Sequence, residues 1–134
     1  MAEPTGQFLR LLAAAITSGR AYLAAPVGGR PKEPAPWGWR EQSGQWLPQG
    51  RRVGWVDGDA VLLEPGASYA AAQEMAAVQG ESLTVSAPTL WRRLKERGLL
   101  ASWDRKRERN TIRKKLEGVR REVLHLRAVS LFDR

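Results

Sequence analysis

SLTVSAPTLWRRLKERGLLASWDRKRERNTIRKKLEGVRREVLHL, residues 82–126, is the stretch on which the reading of the fold turns. It opens as a helix with matched signals at both ends. Ser86 stands at the N-cap position, where its hydroxyl can accept from an unpaired backbone N–H of the first turn. Pro88 falls in that turn, where a missing N–H costs nothing, and Gly98 stands at C′, where left-handed backbone is needed. Leu90, Leu94 and Trp91 point to one side of this helix. Thr89, Arg92, Arg93 and Glu96 form a stripe on the other.

Beyond Leu99 and Leu100 the chemistry changes. Nine of the seventeen residues from Arg105 to Arg121 are Lys or Arg, opposed by Glu108 and Glu117. Two periods compete over residues 109–127. Ile112, Leu116, Val119, Val123 and Leu126 recur at helical spacing. Against a helix stands Glu117-Gly118 at its middle, since Gly in a helix interior costs about 1 kcal/mol relative to Ala. The hairpin reading runs Thr111 to Leu116 up, turns at Glu117 to Val119, and returns along Arg120 to Leu126. A single helix would keep the basic face but not the hairpin. The hairpin is the expectation taken here.

A capped helix followed by a basic hairpin is the outline of a winged helix-turn-helix. In such a domain the second helix enters the major groove and its early exposed residues meet base edges. The candidate recognition helix is residues 87–97, with Thr89, Arg92 and Arg93 as reading residues, because Arg pairs bidentately with guanine or phosphate. The candidate wing is residues 105–121. Arg105, Lys106, Arg107 and Arg109 lie on its approach, and Arg113, Lys114, Lys115, Arg120 and Arg121 around its tip. An ordinary amphipathic helix with solvated charges accounts for the helix pattern equally well.

The charge distribution points the same way. The chain carries a net +8. Residues 92–134 hold fifteen Lys/Arg against six Asp/Glu, whereas residues 1–91 hold seven against eight. All the excess positive charge therefore lies in the last third, as expected of a phosphate-binding face.

Upstream, residues 7–16 (QFLRLLAAAI) place Phe8, Leu11, Leu12 and Ala15 on one helical stripe, widened by Ile16. Thr5 is the expected N-cap and Gly19 the stop. Ala21 to Ala25 is a short strand candidate. Residues 26–50 are rich in Pro and Gly yet carry Trp37, Trp39 and Trp46. The alternation Trp37-Gly38-Trp39 would put both indoles on one strand face, either covering a small sheet or offering a stacking platform for bases. In residues 51–63 Asp57-Gly58 signals a type I′ hairpin turn with both residues at positive φ. Asp57-Gly58-Asp59 is read as that turn, since the further ligands of a calcium loop are missing. Residues 65–79 form a second helix, stopped by Gly80.

At 134 residues the chain is long enough for one domain, 1–134. The expectation is α+β: a winged-helix part over 64–134, with an added N-terminal helix and small Trp-rich antiparallel hairpin over 1–63. There is no cysteine, which fits a reducing cytoplasm. No apolar run is long enough to span a bilayer, so no membrane partner is expected.

The successive segments GRRVGWVDGDAVLLEP, SYAAAQEMAAVQGESLTVSAPTLWRRLKERGLL and RNTIRKKLEGVRREVLHL resemble the C-terminal region of bacterial and phage-borne primase–helicase-like ATPases of mobile elements. FLRLLAAAITSGRAYLA is also in keeping with them. The resemblance implies a winged-helix-like tail that helps an upstream primase or helicase-type motor engage DNA. The phosphate loop GxxxxGK[ST] and an acidic metal-binding triad are both missing, so it implies the accessory part without the engine.

No enzyme and no cofactor are expected. His125 lies between leucines, with no Cys present and no Ser or carboxylate placed by motif to form a dyad. The expected partner is nucleic acid, with DNA favoured over RNA. The competing expectation is a protein-interaction module of a replication or mobile-element complex that does not itself touch DNA.

Overall fold

Glu3 starts the first helix, α1 (Pro4–Thr17): its carboxylate accepts from the backbone N–H groups of Thr5 and Gly6 and from the Thr5 hydroxyl. The cap is therefore Glu3 and not Thr5, because Pro4 takes the first helical position and pushes Thr5 into the first turn, where it is buried. In this computed structural model residues 3–132 are described. The outermost two residues at each end of the expected domain 1–134 lie outside them.

The chain continues through β1 (Ala21–Ala24), a 3₁₀ turn (Ala35–Trp37), β2 (Trp39–Gln42), β3 (Gln45–Pro48), β4 (Arg51–Asp57) and β5 (Ala60–Leu63). Then come α2 (Pro65–Val78), α3 (Ala87–Glu96), β6 (Ile112–Leu116), β7 (Val119–Arg127) and a second 3₁₀ turn (Ala128–Ser130). The class is α+β, with three α-helices, a mixed five-stranded sheet and a separate two-stranded hairpin among the described residues.

The five-stranded sheet has the order β1-β4-β5-β7-β6. β1 runs parallel to β4, and every other pairing is antiparallel. The Pro/Gly-rich segment is the crossover that parallel pairing requires, and β2–β3 is a hairpin within it. Gly54 sits in β4 where the neighbouring strand comes close: a Cβ there would lie 2.3 Å from the Leu62 carbonyl oxygen.

Side chains alternate across this sheet between two clusters. The larger gathers Leu23, Val53, Val61, Leu63, Leu124 and Leu126 with the apolar stripes of all three helices, including Phe8, Leu12, Met75, Leu90 and Leu94. Trp37 and Trp39 belong to this core, and the Trp39 indole N–H donates to the Leu23 carbonyl. They do not share a strand face, because Trp37 ends the 3₁₀ turn, Gly38 has φ 91°, and β2 begins only at Trp39. Buried as they are, they are not a stacking platform for bases. The smaller cluster is Ala24, Trp55, Leu62, Leu116 and Val123 on the opposite face.

The hairpins differ in their turns. At β4–β5 the partner register pairs Asp57 with Ala60, leaving Gly58-Asp59 as the two-residue loop. Only Gly58 takes positive φ (59°), the type II′ pattern, so the expected type I′ turn at Asp57-Gly58 is displaced by one residue. Asp57 is held in the strand by pairing. β6–β7 is the hairpin expected over 109–127, not a helix, and its loop Glu117-Gly118 has φ 52° and 78°, the type I′ signature.

Candidate nucleic-acid interface

The β6–β7 hairpin is the sheet's outer ribbon, with β6 at the edge. Ile112 and Leu116 turn toward the Trp55 cluster, so by alternation Lys114 shares their face, and Arg113 and Lys115 share the helix-facing side. On β7, Val123 marks the Trp55 face and Leu124 and Leu126 the helix side. The pairing then sets Lys114 opposite Arg121 on one face and Lys115 opposite Arg120 on the other. Like charges directly opposite in a sheet destabilise it. This hairpin has two such pairs.

The fates of the basic residues differ. Arg107 turns inward: its guanidinium makes a bidentate pair with Glu122 at 2.7–2.9 Å and lies 3.1 Å from Asp104. Its guanidinium is engaged by these carboxylates, unlike the unpaired cations beside it, and stays partly exposed. Arg113 shares the same carboxylate at 3.1 Å, and the Thr111 hydroxyl donates to it at 2.6 Å. The Thr111 hydrogen bond lowers the Glu122 pKa against the effect of burial, with Arg113 and Arg107 adding to it.

Arg121 lies over the Trp55 ring at 5.1 Å and donates from Nε to the Leu116 carbonyl. Arg52 lies over the same ring at 4.7 Å. Glu117 closes this arrangement, accepting from Arg52 and from the Trp55 indole N–H. Its backbone N–H donates to Pro26. The hairpin turn is thus fastened to β4 and to the loop after β1, and does not stand free of the body.

Arg105, Lys106, Arg109, Lys114, Lys115 and Arg120 are exposed, and none has a carboxylate within ion-pair distance among the described residues. On α3, Arg92 is exposed and 4.0 Å from an exposed Glu96, a pair of negligible worth. Arg93 is half-buried. The Thr89 hydroxyl accepts from Ser86 while its N–H donates to the Ser86 hydroxyl, so it is engaged in capping.

The loop between α3 and β6 joins the two parts. Asp104 accepts from the Arg107 N–H and pairs with Arg109, making a tight turn. Trp103 packs partly on the main core, with the Lys95 ammonium 5.3 Å and the Arg105 guanidinium 5.0 Å from its ring centre. The end of α3, this loop and the helix-facing side of the hairpin therefore form one neighbourhood. Lys114 and Arg121 belong to the other face. Lys95 and Trp103 were not among the expected residues; the available signal was an aromatic two positions before a basic run.

No family model, no curated protein and no solved structure matches this chain. The geometry has to speak for itself. Burial lowers the His125 pKa, with Lys114 adding to it, and His125 Nδ1 is 2.7 Å from the Ser102 hydroxyl oxygen. The described residues contain no group of three or more His, Asp or Glu side chains able to hold a metal ion, and no helix long and apolar enough to cross a membrane.

Proposed function

We propose that this chain is a non-catalytic nucleic-acid-binding module of the winged-helix type, DNA being the favoured partner. α3 and the exposed cations on the helix-facing side of the β6–β7 hairpin, Lys115 and Arg120, form its binding side. One observation carries the reading: the hairpin keeps Lys115 opposite Arg120, both exposed on the side facing α3, a repulsive arrangement that a polyanion offsets. The order α2, α3, β6, β7, with α1 before and β5 beside β7, supports the winged-helix label. The α2–α3 connection, running from Gln79 to Ser86, is longer than the roughly three- to four-residue turn of a helix-turn-helix. It is tied down nonetheless, Gln7 donating to Glu81 and Ser82 and Tyr69 to Val85. In this proposal the chain serves as the accessory part that tethers a primase- or helicase-type motor to DNA.

Phosphate contacts release counterions and fix position more than sequence. Affinity for labelled DNA is expected to fall steeply with salt. Replacing Lys115 and Arg120 together by Gln is expected to flatten the log–log slope by roughly 0.9 per lost duplex contact. An unchanged slope, or no binding at low salt, would rule the proposal out.

A second reading has its own observation. A shallow, mainly apolar cleft of about 320 Å³ is lined by Pro26, Pro31, Trp37 and Val56 with Lys32, Glu33 and Asp57 among its walls, and the largely exposed Val27 follows Pro26. It favours a protein-interaction module if DNA binding fails.

A further inference from the structure

The Lys95–Trp103–Arg105 neighbourhood is built differently from the rest of the basic surface. Trp103 and Arg105 border two adjoining clefts, one of about 370 Å³ completed by Lys95 and Glu108, the other of about 210 Å³ completed by Ala101 and Ser102. The indole is anchored by packing on the main core while part of it stays accessible. Its two cations rest on the ring and have no carboxylate partner among the described residues, although Glu108 lines the same cleft. Arg107, two residues on, shows the contrast: there the guanidinium is locked between Glu122 and Asp104.

An anchored aromatic flanked by two cations without carboxylate partners matches the chemistry of an unpaired nucleotide. A base stacks on the indole, and a cation it displaces from the ring moves to the flanking phosphate. A base within a closed duplex keeps its faces against its neighbours and cannot use such a ring. We infer that this cleft is a docking site for an unpaired nucleobase and its adjacent phosphates, so that the chain prefers single-stranded nucleic acid or a duplex end over closed duplex. This rests on the nucleic-acid reading proposed above and specifies the form bound.

The test compares three labelled ligands of equal length by fluorescence anisotropy: an oligothymidine, the same oligomer with abasic spacers, and a closed hairpin duplex. The wild-type chain is expected to bind the oligothymidine roughly 5- to 150-fold more tightly than the abasic oligomer, the range of one base–aromatic stack. Trp103→Ala is expected to remove most of that difference, and Trp103→Phe to keep most of it. Because Trp103 also packs on the core, a second measurement avoids variants altogether. Photocrosslinking of an iodouracil-substituted oligomer to the wild-type chain should place the adduct on Trp103.

Equal affinity for the oligothymidine and the abasic oligomer, or an adduct mapped away from the cleft, overturns the inference. So does displacement by polyglutamate as effective as by the oligothymidine. If Lys115→Gln/Arg120→Gln weakens all three ligands while Trp103→Ala weakens none, the basic-face proposal stands and the cleft inference falls. If the wild-type chain binds none of them, both fall.

Discussion

Glu117 occupies the first loop position of the β6–β7 turn at φ 52°, backbone that costs a non-glycine residue roughly 1–2 kcal/mol. Its carboxylate is engaged by Arg52 and Trp55 Nε1, and the Arg52 guanidinium in turn lies over the Trp55 ring. Two opposing effects are therefore joined in one side chain, and two substitutions separate them. Glu117→Ala loses the carboxylate and keeps the strained backbone; Glu117→Gly loses the carboxylate but relieves the backbone. Urea unfolding should show Glu117→Ala destabilised by about 1.5–3 kcal/mol, the range for hydrogen bonds to charged groups. Glu117→Gly should recover about 1 kcal/mol of that loss. Equal stabilities would mean the turn carries no strain. Gly118 following Glu117 marks the turn in the sequence. That Glu117 reaches across to Arg52 and Trp55 could not be read there, since those partners stand 65 and 62 residues away.

At the scale of elements, each helix end is set by a few local atoms. Ser86, Pro88 and Gly98 delimit α3 as their chemistry requires, and Gly98 indeed takes positive φ. α1 departs from its expected start by two residues because a carboxylate, placed just before Pro4, outdoes the Thr5 hydroxyl. Burial raises the Glu3 pKa, but the Thr5 hydroxyl, the Gly6 and Thr5 amides and the Arg97 charge outweigh it, leaving the value at about 2. A depressed folded pKa gives stability that is complete above the unfolded value and lost as pH falls toward the folded one. Glu3→Ala is thus expected to cost about 1 kcal/mol at pH 7. The difference in thermal midpoint from wild type should narrow between about pH 5 and pH 2. A difference independent of pH over that window would mean that the charged carboxylate is not the cap.

The whole molecule separates its charges. The apolar stripes of the three helices and the sheet centre form the core, while the loop after α3 and the outer hairpin carry a concentration of exposed cations without carboxylate partners. Such self-repulsion destabilises a compact state and is screened by salt. Lys115→Gln/Arg120→Gln is accordingly expected to raise stability by about 0.2–1 kcal/mol at low ionic strength, the size of one cross-strand pair, and to leave it unchanged at high salt. Denaturant unfolding at two salt concentrations would check this. A loss of stability at low salt would show that these side chains support the fold instead of straining it.

Whatever depends on near neighbours is legible along the chain: the three helices, the capping of α3, the place of the β6–β7 turn, and the concentration of positive charge in the last third. Spacing, caps and turn residues act within a few positions, so their consequences are legible without partners. Which charges are free depends instead on partners brought from far along the chain. Arg107 is tied up by an ion pair because pairing in the hairpin carries Glu122 to it, and Trp37 and Trp39 are buried because the crossover folds onto the core. Pairing likewise moved the β4–β5 turn to Gly58-Asp59 by holding Asp57 opposite Ala60. It also left Trp103 accessible between Lys95 and Arg105, a grouping of residues from a helix and the loop beyond it. Long-range register and burial set these outcomes, and neither is encoded in any short stretch of the chain.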